Sequence, residues 1–449
     1  MKKTITTIFL LFVLAAGAQQ TPQQEYALSL EQAIAHALEN NRTAINASRD
    51  IDIARQKKRE TTATGLPQIN AGVDYTNNFE IPKSVVPAQF FDPEAGPDEF
   101  TAVAFSPKQS MTARAQLSQL IFDGSYIVAL QASKTYLKYY ENAKRKTDTE
   151  IREMVINSYG NVLVAEESIK ILERNREILG KTLHDTEETF KNGLIEEENV
   201  EQLKITMASV NSNLNNMRRV ATMSYKMLNL ALGIEIGSKV TLTDKLDALT
   251  QSNLGKAFTQ EEFAVSNNID YLIAQNLTEQ RALELKLQKS RALPSLAANL
   301  NFGYNAFDEE FTFFNSETKW YNYSFLGMTL NVPIFSGFGR SARTQQARIA
   351  LEQSQTLLTE TEQRLKLEYE NARSQYDFSI EEYATAKENL HLAERIERKQ
   401  QIKFTEGLSS SFDFAEAQRQ LYSAQQTLLQ SMINVINTRA SLENITNTK

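Results

Sequence analysis

The sequence predicts an α+β membrane protein that arose by internal duplication, with long paired helices and four short strands. Three observations favour this fold class. Two long stretches, residues 108–293 and 334–449, contain none of the nine prolines. Short motifs recur at a nearly constant offset between the two halves of the chain. Four segments alternate apolar and polar side chains with a period of two, which is typical of strands.

Long helices are predicted where the chain is polar and free of proline. A proline inside a helix costs about 3 kcal/mol, so its absence over such distances indicates helix. The predicted segments are about 29–62, 125–191, 196–232, 261–291, 340–405 and 411–445. At about 1.5 Å per residue the segment 125–191 would be roughly 100 Å long, which exceeds the diameter of a globular core.

The helices carry a coiled-coil repeat that is itself duplicated. Largely apolar positions in the segment 340–405 alternate steps of four and three, at Leu365, Tyr369, Ala372, Tyr376, Ser379, Tyr383, Ala386, Leu390 and Ala393. This 3.5-residue period is that of a left-handed coiled coil. The nine equivalent positions in the first half run from Ile151 to Leu179, and seven of them are apolar. The same seam is therefore predicted in both halves.

The start of the chain resembles an export signal. Lys2 and Lys3 precede a short apolar run that ends in the small residues Ala16, Gly17 and Ala18. This run is too short to span a bilayer as a helix, so residues 1–18 are predicted to be a cleaved signal peptide, with an uncleaved anchor as the alternative.

The remaining chain divides at the duplication. We predict a first repeat at 19–232, a linker at 233–260 and a second repeat at 261–449. Each repeat should contain a helix, two strands and a long helical hairpin. The hairpin tips are expected near residues 193 and 407, where "FKNGL" and "FTEGL" place a glycine in otherwise unbroken helix.

The four strands are predicted at about 68–79, 110–122, 295–305 and 323–335. Their length of about ten residues matches the strands of an outer-membrane β-barrel. A half-buried soluble sheet alternates in the same way, so this alternative stays open. Four strands cannot close a barrel by themselves, and an open edge in lipid is excluded. The lipid-facing interpretation therefore requires several copies of the chain. Trp320, near the last strand, would lie either at the lipid–water boundary or in a loop cluster.

Composition excludes several function classes. The net charge of −7 argues against binding to nucleic acid, because no basic surface is available to neutralise phosphates. The chain has no cysteine, and its three histidines, His36, His184 and His391, lie on different predicted helices without metal-ligand spacing. We therefore expect neither catalysis, nor a metal, nor a cofactor.

The order of elements, the duplication and the paired motifs together resemble the TolC-type outer-membrane efflux proteins. The motifs are "LSLEQAIAHALENN" at 28–41, "IFDG" and "IFSG" at 121 and 334, and the two "F-x-x-G-L" turns. The resemblance covers essentially the whole chain after the signal.

The family resemblance implies an assembly and a function. In that family three protomers form one twelve-stranded outer-membrane β-barrel, continued by a long α-helical coiled-coil barrel into the periplasm. A homotrimer in outer-membrane lipid is thus implied, serving as the passive exit duct of a tripartite efflux system. A periplasmic adaptor (membrane fusion protein) would open its tip. An inner-membrane transporter of the RND or ABC type would supply the energy, because no phosphate-binding glycine loop is present.

Two sets of site residues follow from the resemblance. Gly193, Leu194, Gly407 and Leu408 match the family's hairpin tips and are candidates for adaptor contact. Asp413 and Glu416 occupy positions where family members have an acidic ring that narrows the periplasmic aperture. The alternative for these two acids is a helix start, which favours carboxylates through the helix dipole.

The aperture departs from the family pattern at two positions. Phe404 stands where the family has a tyrosine, and Asn199 where it has an aspartate that bonds to that tyrosine. A phenylalanine has no hydroxyl, so that hydrogen bond cannot form here. Glu198, beside Asn199, belongs to an acidic run that could instead be a solvated helix start.

Two alternative functions stay open from sequence. The first is an outer-membrane duct for type I protein secretion, with the same architecture and a different inner-membrane partner. The second is a soluble periplasmic coiled-coil scaffold or adaptor, which requires the apolar strand faces to be covered by the chain's own helices.

Overall fold

The computed structural model describes residues 25–254 and 263–447. The predicted signal peptide at 1–18 lies outside the described residues, as does the part of the predicted linker from 255 to 260. The described helices are α1 (Leu30–Asn40), α2 (Arg42–Ala63), α3 (Gly124–Lys191), α4 (Glu197–Leu232), α5 (Leu246–Leu254), α6 (Ile269–Ser290), α7 (Gly339–Thr405) and α8 (Ser411–Thr446). The four long helices expected from proline spacing, α3, α4, α7 and α8, are confirmed.

The predicted helix at 29–62 is wrong in one respect, because Asn41 separates α1 from α2. The Asn41 backbone is extended, its side-chain oxygen accepts from the Thr43 amide at 2.8 Å, and its nitrogen donates to the Ala231 carbonyl at 2.8 Å. Asn268 repeats this arrangement before α6, donating to the Ile445 carbonyl at 2.9 Å. Asn41 and Asn268 thus anchor the starts of α2 and α6 to the ends of α4 and α8.

The strands are β1 (Tyr26–Leu28), β2 (Gln68–Asn77), β3 (Lys83–Pro87), β4 (Phe100–Ala104), β5 (Gln109–Asp123), β6 (Val240–Leu242), β7 (Ser295–Asp308) and β8 (Trp320–Asn331). The last strand ends before the expected residue 335, because Pro333 cannot donate to a ladder. Two pairs were not expected from sequence: parallel β1–β6, and the hairpin β3–β4 within the first strand-connecting loop.

The main sheet has the order β2-β5-β7-β8, and every neighbouring pair is antiparallel. Its register aligns Ala71, Ala115 and Phe302 in one row and Asn70, Gln116 and Asn301 in the next. Because side chains alternate between faces, one face of the sheet is apolar and the other polar. The strands β2 and β8 are its two edges.

Trp320, the first residue of β8, lies in an apolar cluster at one end of this sheet. Its ring packs against a buried group formed by Met111, Ala306 and Phe313. This packing leaves the position of Trp320 at the lipid–water boundary a prediction.

The chain forms two compact units. The helical unit contains the described residues up to Asp50, Glu141–Ile273 and the described residues from Thr359 onward; the sheet unit contains Ile51–Tyr140 and Ala274–Leu358. Each unit therefore takes segments from both sequence repeats. In the core of the helical unit, the buried Tyr159 donates to the Leu28 carbonyl at 3.0 Å and to the Asp244 carboxylate at 3.1 Å.

Every helix in the described ranges is too short or too polar to cross a lipid bilayer.

Candidate functional site

The two helical hairpins of the helical unit turn at equivalent glycines. Gly193 has φ 71° and Gly407 has φ 73°, the left-handed conformation that glycine adopts without steric cost. In each turn the leucine after the glycine donates to a carbonyl of the preceding helix, Leu194 to Thr189 at 3.2 Å and Leu408 to Lys403 at 2.7 Å. This is the Schellman helix end, and it explains the glycine that both motifs share.

The second tip starts α8 with a capping box. The Ser410 hydroxyl accepts from the Asp413 amide at 3.1 Å, and the Asp413 carboxylate accepts from the Ser410 amide at 3.2 Å. Glu416 pairs with Arg419 at 2.5 Å, and both side chains are largely exposed. Both acids predicted for an aperture ring thus have local partners at the start of their own helix.

The first tip starts α4 differently. Glu196 is the N-cap residue without a side-chain cap, and Glu197 and Glu198 occupy the first turn, where the helix dipole favours acids. Asn199 reaches the other tip: its side-chain oxygen accepts from the Ser411 amide at 3.3 Å. The hydrogen bond that the family's aspartate makes to a tyrosine is not expected here, and Asn199 instead links the two tips through the Ser411 amide.

Phe404 packs in an apolar cluster. Its ring stacks on Phe414, with ring centroids 5.4 Å apart and planes within 7°. Phe414 is fully buried. The cluster, called the tip cluster below, joins all four long helices and consists of Leu179, Leu203, Val210 and Phe414, with Leu183, Met207, Phe404 and Tyr422 packed around them.

A groove of about 840 Å³ lies between the two tips. Its lining includes Leu194, Asn199, Phe404 and Gly407, so four of the predicted site positions are brought together there. Leu194 and Leu408 are 74% and 78% exposed. Each hairpin tip therefore holds one large apolar side chain in an exposed position.

A partly buried polar group near the tip cluster was missed by sequence reasoning. Burial raises the pKa of the Glu397 carboxyl on α7, and a hydrogen bond from Gln418 on α8 opposes this. Burial, together with the charge of Glu397, raises the pKa of the Tyr422 hydroxyl. Among the described residues, neither the Tyr422 hydroxyl nor the Gln418 side-chain oxygen has a hydrogen-bond partner. Only the packing of α7 on α8 reveals this burial, so sequence carried no signal for it.

Glu397→Gln is expected to raise the melting temperature at pH 7.5 and to leave it unchanged at pH 4. The pKa of Glu397 in the folded state lies above its ordinary value of 4.5. The protonated carboxyl of Glu397 therefore stabilises the folded state fully at pH values below 4.5. This stabilisation is lost as the pH rises through the folded-state pKa. Thermal unfolding at both pH values tests this, with the exposed Glu394→Gln as the matched control. A lower melting temperature for Glu397→Gln at pH 7.5 would contradict it.

Within the described ranges, no group of three or more His, Asp or Glu side chains is placed to hold a metal ion. The three histidines lie on α1, α3 and α7.

Comparison with known proteins adds independent evidence. A family model described as outer membrane efflux protein matches residues 264–448. The outer membrane protein TolC of Vibrio cholerae is 22% identical over 329 residues, covering 72% of this chain and 69% of that protein. The probable efflux pump outer membrane protein TtgC of Pseudomonas putida is 20% identical over 429 residues, covering 95% and 84%.

The resemblance to the outer-membrane efflux proteins is confirmed. The fold agrees over nearly the whole chain: the crystal structure of CusC superposes with a TM-score of 0.75 at 17% identity, covering 96% of this chain and 95% of that one. The family model lies within the second repeat, whereas the TtgC alignment and the CusC superposition extend over both.

Proposed function

We propose that this chain is one subunit of a homotrimeric outer-membrane exit duct in a tripartite efflux system. The duct is passive and performs no chemistry. An adaptor opens its periplasmic tip, and an inner-membrane transporter of the RND or ABC type drives transport. The observation that carries the proposal is a four-stranded sheet with one exposed apolar face and two free edges.

The apolar face is not covered by the described helices. Its larger side chains on the edge strands are between 63% and 73% exposed, at Ile69, Val73, Leu326, Met328 and Leu330. Such a continuous exposed patch marks a contact with protein or lipid. A soluble scaffold would require these side chains to be buried, so the exposure disfavours that alternative.

The edges support closure by further copies. Unpaired backbone groups are not tolerated in lipid. Because the strands alternate in direction across an even-numbered sheet, β8 runs antiparallel to β2. A second copy can therefore pair its β8 with β2 of the first and continue the same alternation. Three copies give the twelve strands that the family resemblance implies.

Membrane fractionation and native mass test this proposal. We expect the processed protein in the outer-membrane fraction of a sucrose gradient, and in detergent at three times the mass of one chain. Recovery of a single chain without detergent would refute it. The efflux role has its own readout: a deletion strain should become sensitive to small toxic compounds, and re-expression of the full-length chain should restore resistance.

The tips are proposed as the gate. Gly193, Leu194, Gly407 and Leu408 would meet the adaptor, and Phe404, Glu198 and Asn199 would flank the aperture. Asp413 and Glu416, copied threefold, would place six carboxylates around one axis. Such a ring attracts cations and repels anions.

Asp413→Asn with Glu416→Gln is expected to shift the ion selectivity of the closed duct toward anions. The amides keep the shape of both side chains, and an asparagine at the first position would still accept from the Ser410 amide, so the start of α8 is preserved. Reversal potentials in planar bilayers under a salt gradient measure the shift. Glu167→Gln with Glu173→Gln, on α3 away from the tips, changes charge equally and should leave selectivity unchanged. Equal reversal potentials for both double variants would remove the ring from the mechanism.

A further inference from the structure

The polar face of the main sheet carries aromatic rings along one edge. They are Phe307 on β7 and Tyr321, Tyr323 and Phe325 on β8, called the aromatic strip below. The register pairs Tyr321 with Asn305 and Phe325 with Asn301, so the strip shares the face of the polar rows. Tyr321 is 58% exposed and Phe325 is 56% exposed. A contiguous run of exposed rings on an otherwise polar face indicates contact with another molecule.

The rings of this strip lie flat against the sheet. A Cβ on Gly303 would come within 2.7 Å of the Tyr323 ring, so this ring covers the glycine. The planes of Tyr323 and Phe325 are within 21° of each other, with centroids 6.3 Å apart. The centroids of Phe307 and Tyr321 are also 6.3 Å apart. Because the Tyr323 ring rests on the sheet, its other face is presented to the space in front of the sheet.

The strip is long enough for several ligand units in a row. Its members on β8 occupy alternate residues, which places successive rings about 7 Å apart. From Phe307 to Phe325 the register spans about six residues of strand, or roughly 20 Å at about 3.3 Å per residue. A chain of flat units fits this repeat better than a single small molecule does.

Side-chain amides with unused hydrogen-bonding groups lie beside the exposed rings. Asn301 is the direct neighbour of Phe325, and its side chain forms no hydrogen bond to another described residue. Asn305, the neighbour of Tyr321, accepts from the Thr112 hydroxyl at 2.9 Å. Its amide nitrogen has no partner within the described part of the chain. A ligand on the strip can therefore form hydrogen bonds at the edges of the rings.

The charge of this face favours an uncharged ligand. In the rows that β2 forms with its neighbours, the charged side chains on the polar face are Asp74 and Arg114. They pair with each other at 3.2 Å. Within these rows the strip therefore meets no unpaired charge, and an exposed ring by itself holds a cation only weakly.

We propose that the aromatic strip binds a linear oligosaccharide in the lumen of the duct. A sugar ring has a flat face of C–H groups, which stacks on an aromatic face, and hydroxyls around its edge, which pair with side-chain amides. Successive sugars of an unbranched chain would stack on successive rings, with hydroxyls on Asn301 and Asn305. This site depends on the proposed function, because only a closed barrel turns the polar face into the wall of a channel.

The strip stays open in the proposed trimer. There β2 of the next copy lies beside β8, with its polar-face side chains next to the strip. These side chains occupy alternate positions from Gln68 to Thr76, and each position is polar or glycine. They would flank the rings without covering their faces, and Asn70 among them would add a further amide.

Saturation-transfer NMR tests the site with maltohexaose, a linear glucose oligomer, and the full-length protein in a detergent without a sugar headgroup. Irradiation of the unaltered protein should saturate the ring C–H protons of the sugar. Tyr321→Leu/Phe325→Leu keeps apolar bulk but removes two ring faces, so transfer should fall about fivefold. The single variant Phe325→Leu should lower transfer about twofold.

Phe302→Leu/Tyr304→Leu is the matched control. These two rings lie on the apolar face of β7 and are 45% and 41% exposed. The change removes two rings from the opposite face, so transfer to maltohexaose should equal that of the unaltered protein. Native mass in detergent shows that each variant is assembled.

The outcomes separate the strip from the duct. A trimeric native mass with no transfer to maltohexaose, or with equal transfer in the unaltered protein and in the trimeric variants of the strip, overturns the site and leaves the proposed function intact. Ethidium, a planar aromatic cation, is measured in parallel. Transfer to ethidium without transfer to maltohexaose overturns the assignment to an oligosaccharide. A monomeric native mass for the unaltered chain overturns both the site and the proposed function.

Discussion

Phe414→Ala is expected to loosen the periplasmic tip, so that the duct conducts without an adaptor. The substitution should also destabilise the helical unit by about 3–5 kcal/mol, the usual cost of removing a buried aromatic ring. Phe414 is fully buried and stacks on Phe404. It is the α8 member of the buried group whose other members come from α3 and α4.

The effect on gating follows from what else holds the tips. The Asn199 bond to the Ser411 amide is 3.3 Å long and partly exposed, so it contributes about 1 kcal/mol. At the tips, the tip cluster therefore supplies most of the energy that keeps the start of α8 against α3 and α4. In the proposed function, an adaptor that pulls the hairpins apart would have to disrupt the same cluster.

Planar-bilayer conductance and chemical unfolding measure the two effects. We expect Phe414→Ala channels to spend most of the time in a high-conductance state, whereas the unaltered channel stays at low conductance. Phe412→Ala is the control, because this residue lies two positions earlier on the same helix and is 59% exposed. Unchanged conductance and stability in Phe414→Ala would show that the cluster does not hold the tip closed.

Features that depend on local backbone chemistry were predictable from the sequence. The spacing of prolines predicted the four long helices, because one proline excludes a helix interior wherever it falls. Gly193 and Gly407 indicated the hairpin tips, because glycine takes the left-handed turn without steric cost.

Features that depend on tertiary packing were not predictable. Asn41 interrupts a helical pattern because the Ala231 carbonyl, far along the chain, lies within reach of its side chain. Phe404 was recognised as lacking a hydroxyl, but its stacking partner depends on how α7 meets α8. The burial of Glu397 has the same origin.

The hairpin β3–β4 shows a different limit of prediction from the sequence. It lies in a segment rich in proline and acidic residues, from Pro82 to Pro107, which is typical of an irregular loop. The register pairs Lys83 with Ala104 and Pro87 with Phe100, so the proline occupies the end of its strand. At that position a missing amide donor is tolerated. The number of prolines in this segment therefore did not predict whether it contains strands.

Met328→Arg is expected to abolish recovery of the protein from the outer-membrane fraction. Met328 projects from the apolar face of β8 and is 70% exposed. If that face touches acyl chains, an arginine near the bilayer midplane costs about 2–4 kcal/mol per subunit, and a trimer carries the cost three times. The variant should accumulate as unassembled or degraded chains.

Thr329→Arg provides the matched control, because the next residue along a strand points to the opposite face. Thr329 is exposed on the polar face, in line with Ala297 of β7. An arginine there would meet water in the lumen of the duct, so assembly should be unaffected. Sucrose-gradient fractionation and the amount of heat-resistant trimer on a gel compare the two variants. If Thr329→Arg were lost and Met328→Arg assembled normally, the two faces would be reversed. If both variants assembled normally, the apolar face would have no contact with lipid, because an arginine in place of Met328 would destabilise a lipid-facing strand.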